Sequence, residues 1–147
     1  MAPRTQLTRE NVGFLLAKAL QRWNEVLSRR FTEKEYGRVR PQYGSVLVPL
    51  YEEDGLPMGE LARRARLRKQ TMTTMIRRME HQGLLERRPD SRDGRVTRIF
   101  LSRDGRAFRG VAEEVLRELD QALGREAPGV PISMARAWLK TIADLEI

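Results

Sequence analysis

The chain has 147 residues, with 28 Lys+Arg against 20 Asp+Glu for a net charge of +8, one histidine and no cysteine. That length holds one domain, or one compact unit with an appended helical part, and 40% apolar residues with only 7 Pro and 11 Gly exclude wholesale disorder. Without cysteine there are no disulfides, thiolate metal sites or thiol redox sensors, and His81 alone makes no zinc cluster.

No apolar run approaches the ~20 residues of a membrane span, and residues 1–8 lack the apolar core of a secretory signal. A cytoplasmic protein without a membrane partner is expected. In chain order, residues 9–31 read as a long amphipathic helix, with Thr8 as N-cap and Leu16, Leu20, Trp23 and Leu27 at three- and four-residue spacing. Gly37 and Pro41 punctuate the chain. A second helix is predicted over residues 41–52, kinked or ended at Pro49, which lacks a backbone donor. Residues 54–57, Asp-Gly-Leu-Pro, read as a break.

A short helix follows over residues 58–65, burying Leu61, Ala62 and Ala65. After a brief connection, a longer helix is predicted over residues 68–82, closed by Gly83. Two helices this close make a helix-turn-helix. The period then changes. Residues 84–88 read as a strand stopped by Pro89, residues 90–95 as a turn with an Asp-Gly tip, and residues 97–101 as the returning strand. A basic hairpin directly after a helix-turn-helix is a winged-helix arrangement. The helical period resumes over residues 103–123, with Phe108, Val111, Val115, Leu119 and Ala122 on one stripe. A loop over residues 124–131 precedes a final helix capped by Ser133 and carrying Met134, Trp138, Ile142 and Leu145. The predicted fold class is mainly α (α+β).

The charge is segregated. Residues 57–109 hold 15 basic and 6 acidic residues, a net of +9, while the remainder holds 13 and 14, a net of −1. Solvated faces on an Arg-rich chain are one reading; a phosphate-neutralising patch is the other. On the 68–82 helix, Met72, Met75, Ile76 and Met79 form a core stripe. Gln70, Thr74, Arg77 and His81 lie opposite, flanked by Thr71, Thr73 and Arg78. Small hydroxyls and an amide near a helix N-terminus can approach base edges, glutamine bonds adenine and threonine reads thymine through its methyl. Lys69, Arg77 and Arg78 supply charge for phosphates or guanine. Arg92 and Arg95 stand at the hairpin turn, where an arginine reaches a minor groove. Asp93 reads as a turn residue or an orienting partner for one of them.

These blocks resemble the MarR family of bacterial winged-helix transcription regulators. The resemblance runs through Met58-Gly59-Glu60-Leu61-Ala62, Thr71-Met72-Thr73, Arg78-Met79-Glu80 and Gly83-Leu84-Leu85-Glu86-Arg87. It continues through Asp93-Gly94-Arg95 and Leu101-Ser102-Arg103-Asp104-Gly105, and covers nearly the whole chain. It implies a homodimer, with residues 9–36 and 103–147 as helical dimerisation region and residues 40–102 as the winged helix-turn-helix DNA-binding region. Trp23, Trp138 and the apolar stripes on these helices serve that interface or the intrachain core. The family's DNA contacts carry over to Arg68, Gln70, Thr71, Thr73, Thr74, Arg78 and Arg95. Four positions depart from its pattern: Arg68 stands where a capping serine is common, Arg66 for a turn glycine, Thr74 for an arginine and Arg77 for an aspartate.

The expected function is a sequence-specific double-stranded DNA-binding regulator acting on a pseudo-palindromic operator, a repressor of nearby genes released by a small-molecule effector. In such proteins small, often aromatic or phenolic molecules bind between dimer helices and winged lobe; Phe14, Trp23, Tyr43 and Tyr51 are available for that or for packing. The alternatives are a winged helix binding nucleic acid without sequence choice, or a protein-interaction module. An enzyme is not expected, since there is no Gly-rich phosphate loop, Ser/His/Asp set or placed carboxylate pair. No cofactor or metal is expected.

Overall fold

A computed structural model describes residues 1 and 6–147. The described chain divides into two compact units, Met1–Arg109 and Gly110–Ile147. The first opens with helix α1, Val12–Glu33. Asn11, not Thr8, is its N-cap: the Asn11 side chain accepts from the Phe14 amide at 2.9 Å. Thr8 instead closes the preceding turn, its hydroxyl oxygen accepting from the Glu10 amide and its carbonyl from the Asn11 amide. Asparagine outranks threonine at this position.

A single 3₁₀ turn, Pro41–Tyr43, leads into α2, Gly44–Glu52. Pro49 sits inside α2 and does not end it; the helix runs on to Glu52. Only one intrahelical bond is lost in so short an element, and the proline ring is itself buried among Val46, Leu47 and Leu50 on the same helix. The predicted break over residues 54–57 contains a strand, β1, Leu56–Pro57. Two residues carry no readable period, and their hydrogen-bonding partner lies some forty positions downstream.

Helices α3, Met58–Ala65, and α4, Lys69–His81, form the helix-turn-helix. Leu61 of α3 and Met72, Ile76 and Met79 of α4 are fully buried. Met75, predicted on the same stripe, is only half-buried. Gly83 ends α4 as predicted, at φ 77°. The Gly83 amide donates to the Glu80 carbonyl and the Leu84 amide to the Met79 carbonyl, at 3.0 and 2.9 Å, the paired bonds of a Schellman end.

The sheet is three-stranded and antiparallel, in the order β1-β3-β2. Strand β2 spans Leu85–Pro89 and β3 Thr97–Leu101, with Leu85 opposite Leu101, Arg87 opposite Ile99 and Leu56 opposite Ile99 on the other side. Pro89 closes β2 from within, paired with Thr97. Leu84, Leu85, Ile99 and Leu101 bury the inner face of this wing.

Helix α5 spans Arg103–Glu126, a turn beyond its predicted end. Gly124 lies inside it, a cost of about 1 kcal/mol relative to alanine that a long helix absorbs. Ser102 caps α5: its hydroxyl accepts from the Gly105 amide at 3.0 Å and donates to the Gly83 carbonyl at 2.6 Å. Around the start of α5, Phe108 packs edge-on against Phe31, with ring centroids 4.9 Å apart.

In the second unit, α6 spans Ile132–Ala143. Pro131 is its N-cap residue, so Ser133 lies within the first turn and caps nothing, and Leu145 falls beyond the helix end. An Arg136–Asp120 ion pair at 3.1 Å lies within this unit. Leu116, Leu123, Met134, Trp138 and Leu139 are exposed. No helix among the described residues is long and apolar enough to cross a membrane.

Candidate nucleic-acid interface

Packing sorts the α4 side chains by face. With Met72, Ile76 and Met79 fully buried, Lys69, Gln70, Thr71, Thr74, Arg77, Arg78 and His81 are left exposed, as is Arg68 at the N-cap, and Thr73 is half-buried. Arg68 has extended backbone and its side chain makes no capping bond, so the first amides of α4 keep no side-chain acceptor at that position. An anion approaching this end therefore meets open donors and the positive end of the helix dipole. The Thr73 hydroxyl donates to the Lys69 carbonyl at 2.9 Å, and the Thr74 hydroxyl to the Gln70 carbonyl at 3.1 Å. Each threonine has its proton engaged and offers only a methyl group and oxygen lone pairs outward.

The far end of α4 is anchored. The Tyr43 hydroxyl donates to the Gln82 side-chain oxygen at 2.6 Å, and the Arg38 Nε donates to the Gln82 carbonyl at 3.2 Å. Arg38 also pairs with Asp104 at 2.5 Å. These bonds tie the helix end to the segment between α1 and α2, which sets where the reading face points. Tyr51, half-buried, donates its hydroxyl to the Gly105 carbonyl at 2.7 Å. Both tyrosine hydroxyls are thus engaged inside the winged unit. Phe14 is exposed and Trp23 half-buried.

A cleft of about 520 Å³ runs beside the reading face. Gln70, Thr71, Thr74 and Arg78 line it together with Met75, Arg40, Gln42 and Tyr43. Arg40 and Gln42 are additions to the residues expected from sequence. They lie some thirty positions upstream on a turn with no period, and only the placement of the 3₁₀ turn brings them here. Met75 is half-exposed because it forms part of this wall.

The basic residues of the segment divide into two sets. Arg63 and Arg64 are held by Glu60 at 2.6 and 2.9 Å, and Arg64 also by Glu53 at 2.7 Å. Hydrogen bonds from Arg63 and then Arg64 hold the Glu60 carboxyl down to about 2. Arg87 is held by Glu80 at 2.7 Å, and the same pairing lowers the Glu80 carboxyl. Arg88 bonds Glu86 and stacks 4.5 Å above the Phe100 ring. In contrast, Arg40, Arg68, Lys69, Arg77, Arg78 and Arg92 form no ion pair with a carboxylate among the described residues. The charge available to a polyanion is concentrated on α4 and the wing turn.

Asp90 organises that turn. Its carboxylate accepts from Arg98 Nε at 2.5 Å and from the Arg92 and Asp93 amides at 3.0 Å each. The Arg98 bond, then the two amides, hold its carboxyl below the usual range. Arg98 also donates to the Gly55 carbonyl, which joins the wing to the start of β1. Asp93 accepts from Arg95 through its amide and its guanidinium Nε, both at 3.1 Å. Asp93 is thus an orienting partner, and the Arg95 side chain is 92% exposed at the tip. The ten residues singled out from sequence fall at two places, Arg68 to Arg78 on α4 and Arg92 and Arg95 on the wing turn. His81 is exposed at the helix end, and no metal-binding group of side chains occurs among the described residues.

Residues 40–97, the helix-turn-helix through the start of the returning wing strand, match the MarR family model. Over these residues, which are less than half of the chain, the sequence is similar to that family. The HTH-type transcriptional regulator TtmR of Methylorubrum extorquens is 40% identical over 70 residues, covering 48% of this chain and 35% of that protein. The organic hydroperoxide resistance transcriptional regulator of Bacillus subtilis is 33% identical over 75 residues, covering 51% and 50%. The matches therefore span about a third and a half of the length of these two relatives. Among solved structures, the repressor CouR bound to a 23-mer DNA duplex has a TM-score of 0.74 at 24% identity, covering 95% of this chain and 99% of that one. CouR of Rhodococcus jostii RHA1 bound to p-coumaroyl-CoA has a TM-score of 0.69 at 23% identity, covering 97% and 99%. At such identities the likeness is one of fold, and it extends beyond residues 40–97 to the flanking helices.

Proposed function

We propose that this chain is a homodimeric, sequence-specific double-stranded DNA-binding regulator, a cytoplasmic repressor of nearby genes that a small-molecule ligand releases. The observation that carries the reading is the α4 surface: open helix amides, short threonines and an amide side chain, flanked by Arg68, Lys69, Arg77 and Arg78 without carboxylate partners among the described residues. Phosphate contacts from the arginines and lysine hold register, while Gln70, Thr71, Thr73 and Thr74 face base edges. Arg92 and Arg95 on the wing turn add a minor-groove or phosphate contact. Residues 9–36 and 103–147 form the dimerisation region in this reading. In its support, Val12, Leu15 and Leu20 of α1 and Met134, Trp138 and Leu139 of α6 are exposed apolar residues. Relatives bearing regulator names, and CouR with both DNA and an acyl-CoA ligand, support the ligand-released repressor over the other two alternatives.

Two half-sites read from one side lie one helical turn apart, ~34–36 Å. The test is duplex binding measured across salt concentrations, with an inverted repeat selected from random sequence and a scrambled duplex of equal length. The expected result is a preference of at least ~10³ for the repeat, with a log–log salt slope of about −0.9 per phosphate neutralised. Equal affinity for both duplexes overturns the sequence-specific reading, and a flat salt response overturns nucleic-acid binding.

Base choice has its own check. Thr74→Ala removes the methyl and oxygen that Thr74 turns outward and leaves the helix intact, since the residue is exposed. Selection on a randomised operator is expected to give a changed base at one position per half-site. An unchanged preference sinks Thr74 as a reading residue.

A further inference from the structure

The cleft beside α4 has walls from two distant parts of the chain. Gln70, Thr74 and Arg78 of α4 stand on one side, and Arg40, Gln42 and Tyr43, at the turn before α2, on the other. The lining holds two arginines and no carboxylate. Arg40 and Arg78 are exposed and form no ion pair among the described residues, and the Gln42 side chain makes no hydrogen bond within them. Elsewhere in the winged unit, Arg63, Arg64, Arg87, Arg88 and Arg98 are all held by carboxylates.

The turn that carries Arg40 is fixed in place. Val39 and Tyr43 are buried on either side of it, and the Tyr43 amide closes it on the Arg40 carbonyl at 2.9 Å. Pro41 holds its own φ, and the Tyr43 hydroxyl ties the turn to Gln82 at the end of α4. Contact through Arg40 would therefore order a side chain and no backbone. An α-helix with its side chains is about 10–12 Å across, and the major groove is about 12 Å wide. A helix that enters the groove brings its flanks against the phosphate strands bordering it. The Gln70–Thr74–Arg78 row of α4 is the flank that shares the cleft with Arg40 and Gln42. We infer that this cleft seats one phosphate strand of the duplex. Arg40 pairs with a phosphate there, and Gln42 donates to a neighbouring backbone oxygen. The inference rests on the DNA-binding reading above.

Three variants test it. Arg40 and Gln42 are exposed, so each variant is expected to keep Tm within about 2 °C of the wild type. Arg40→Ala is expected to weaken the inverted repeat and the scrambled duplex alike, roughly five- to ten-fold at low salt. The salt slope falls by about 0.9 for each Arg40 engaged. Arg40→Lys keeps the wild-type slope, because a lysine neutralises the same phosphate. Gln42→Ala weakens both duplexes by less and leaves the slope unchanged, since an uncharged donor releases no counterion. Wild-type affinity and slope in Arg40→Ala, with the wild type still preferring the repeat, overturn the seated strand and leave the DNA-binding reading standing. A loss confined to the inverted repeat also overturns it, because Arg40 then reads bases. Inorganic phosphate that raises Tm of the wild type but not of Arg40→Ala, with duplex affinity equal in the two, places a free anion in the cleft instead of a strand. A wild-type chain that binds neither duplex removes the DNA-binding reading and this inference with it.

Discussion

Gly105→Ala is expected to destabilise the winged unit by about 2–3 kcal/mol. A β-carbon at Gly105 would collide with the Leu84 carbonyl, while the Leu101 side chain would lie at an ordinary contact distance of 3.5 Å. Neither the Leu84 carbonyl nor the Gly105 backbone is free to withdraw. The Leu84 carbonyl accepts from the Ser102 amide at 3.0 Å, the Ser102 hydroxyl joins the Gly83 carbonyl to the Gly105 amide, and Tyr51 donates to the Gly105 carbonyl. This knot seats the start of α5 on the base of the wing, so relief at one bond strains the others. Urea unfolding is the check, with a lowered midpoint at unchanged slope. Gly110→Ala is the control. It lies on the same helix with open space where its β-carbon would go, and should instead stabilise by about 0.8–1 kcal/mol. Equal midpoints for Gly105→Ala and the wild type would show that the close approach is not a constraint.

The double charge reversal Arg77→Glu with Arg78→Glu is expected to lower duplex affinity by about 10²–10³-fold at moderate salt, by removing two phosphate partners and adding repulsion on the reading face. Stability should change by no more than about 0.5 kcal/mol, because both side chains are exposed and neither forms an ion pair among the described residues. Arg78 lies in the last turn, where a positive charge suits the helix dipole, so any loss comes mainly from that position. Titration of a labelled inverted repeat, alongside thermal unfolding by circular dichroism, separates the two effects. Retained affinity in a folded double variant would exclude this face as the DNA contact.

Much of the winged helix-turn-helix is legible in the residues. The α4 stripe, Gly83 and the Asp-Gly wing tip are local signals, each dictated by backbone geometry over a few positions, and they put the helix-turn-helix and hairpin where they stand. Less legible are features that depend on a distant partner. Strand β1 is two residues long and exists only because β3 lies beside it. The α1 cap falls on Asn11 and not on the expected Thr8, whose hydroxyl accepts within the preceding turn. Gly124 reads as a breaker, yet α5 continues through it.

The candidate interface divides along the same line. Residue type and period alone determined which α4 side chains lie opposite the core, because an amphipathic helix with one buried stripe has only one other side. The sequence also determined that the positive excess sits on residues 57–109. Tertiary structure decided which of those charges are available. Glu53 reaches Arg64 across eleven positions, Glu80 reaches Arg87 across seven and Asp90 reaches Arg98 across eight, and each pairing follows from how helices and strands fold back on one another. It likewise decided that Arg40 and Gln42 share a cleft with Gln70 and Thr74, and that the helix-turn-helix bends at a strained arginine. Net charge is a sum over residues and survives any folding. A free charge is a matter of distance, which only packing sets.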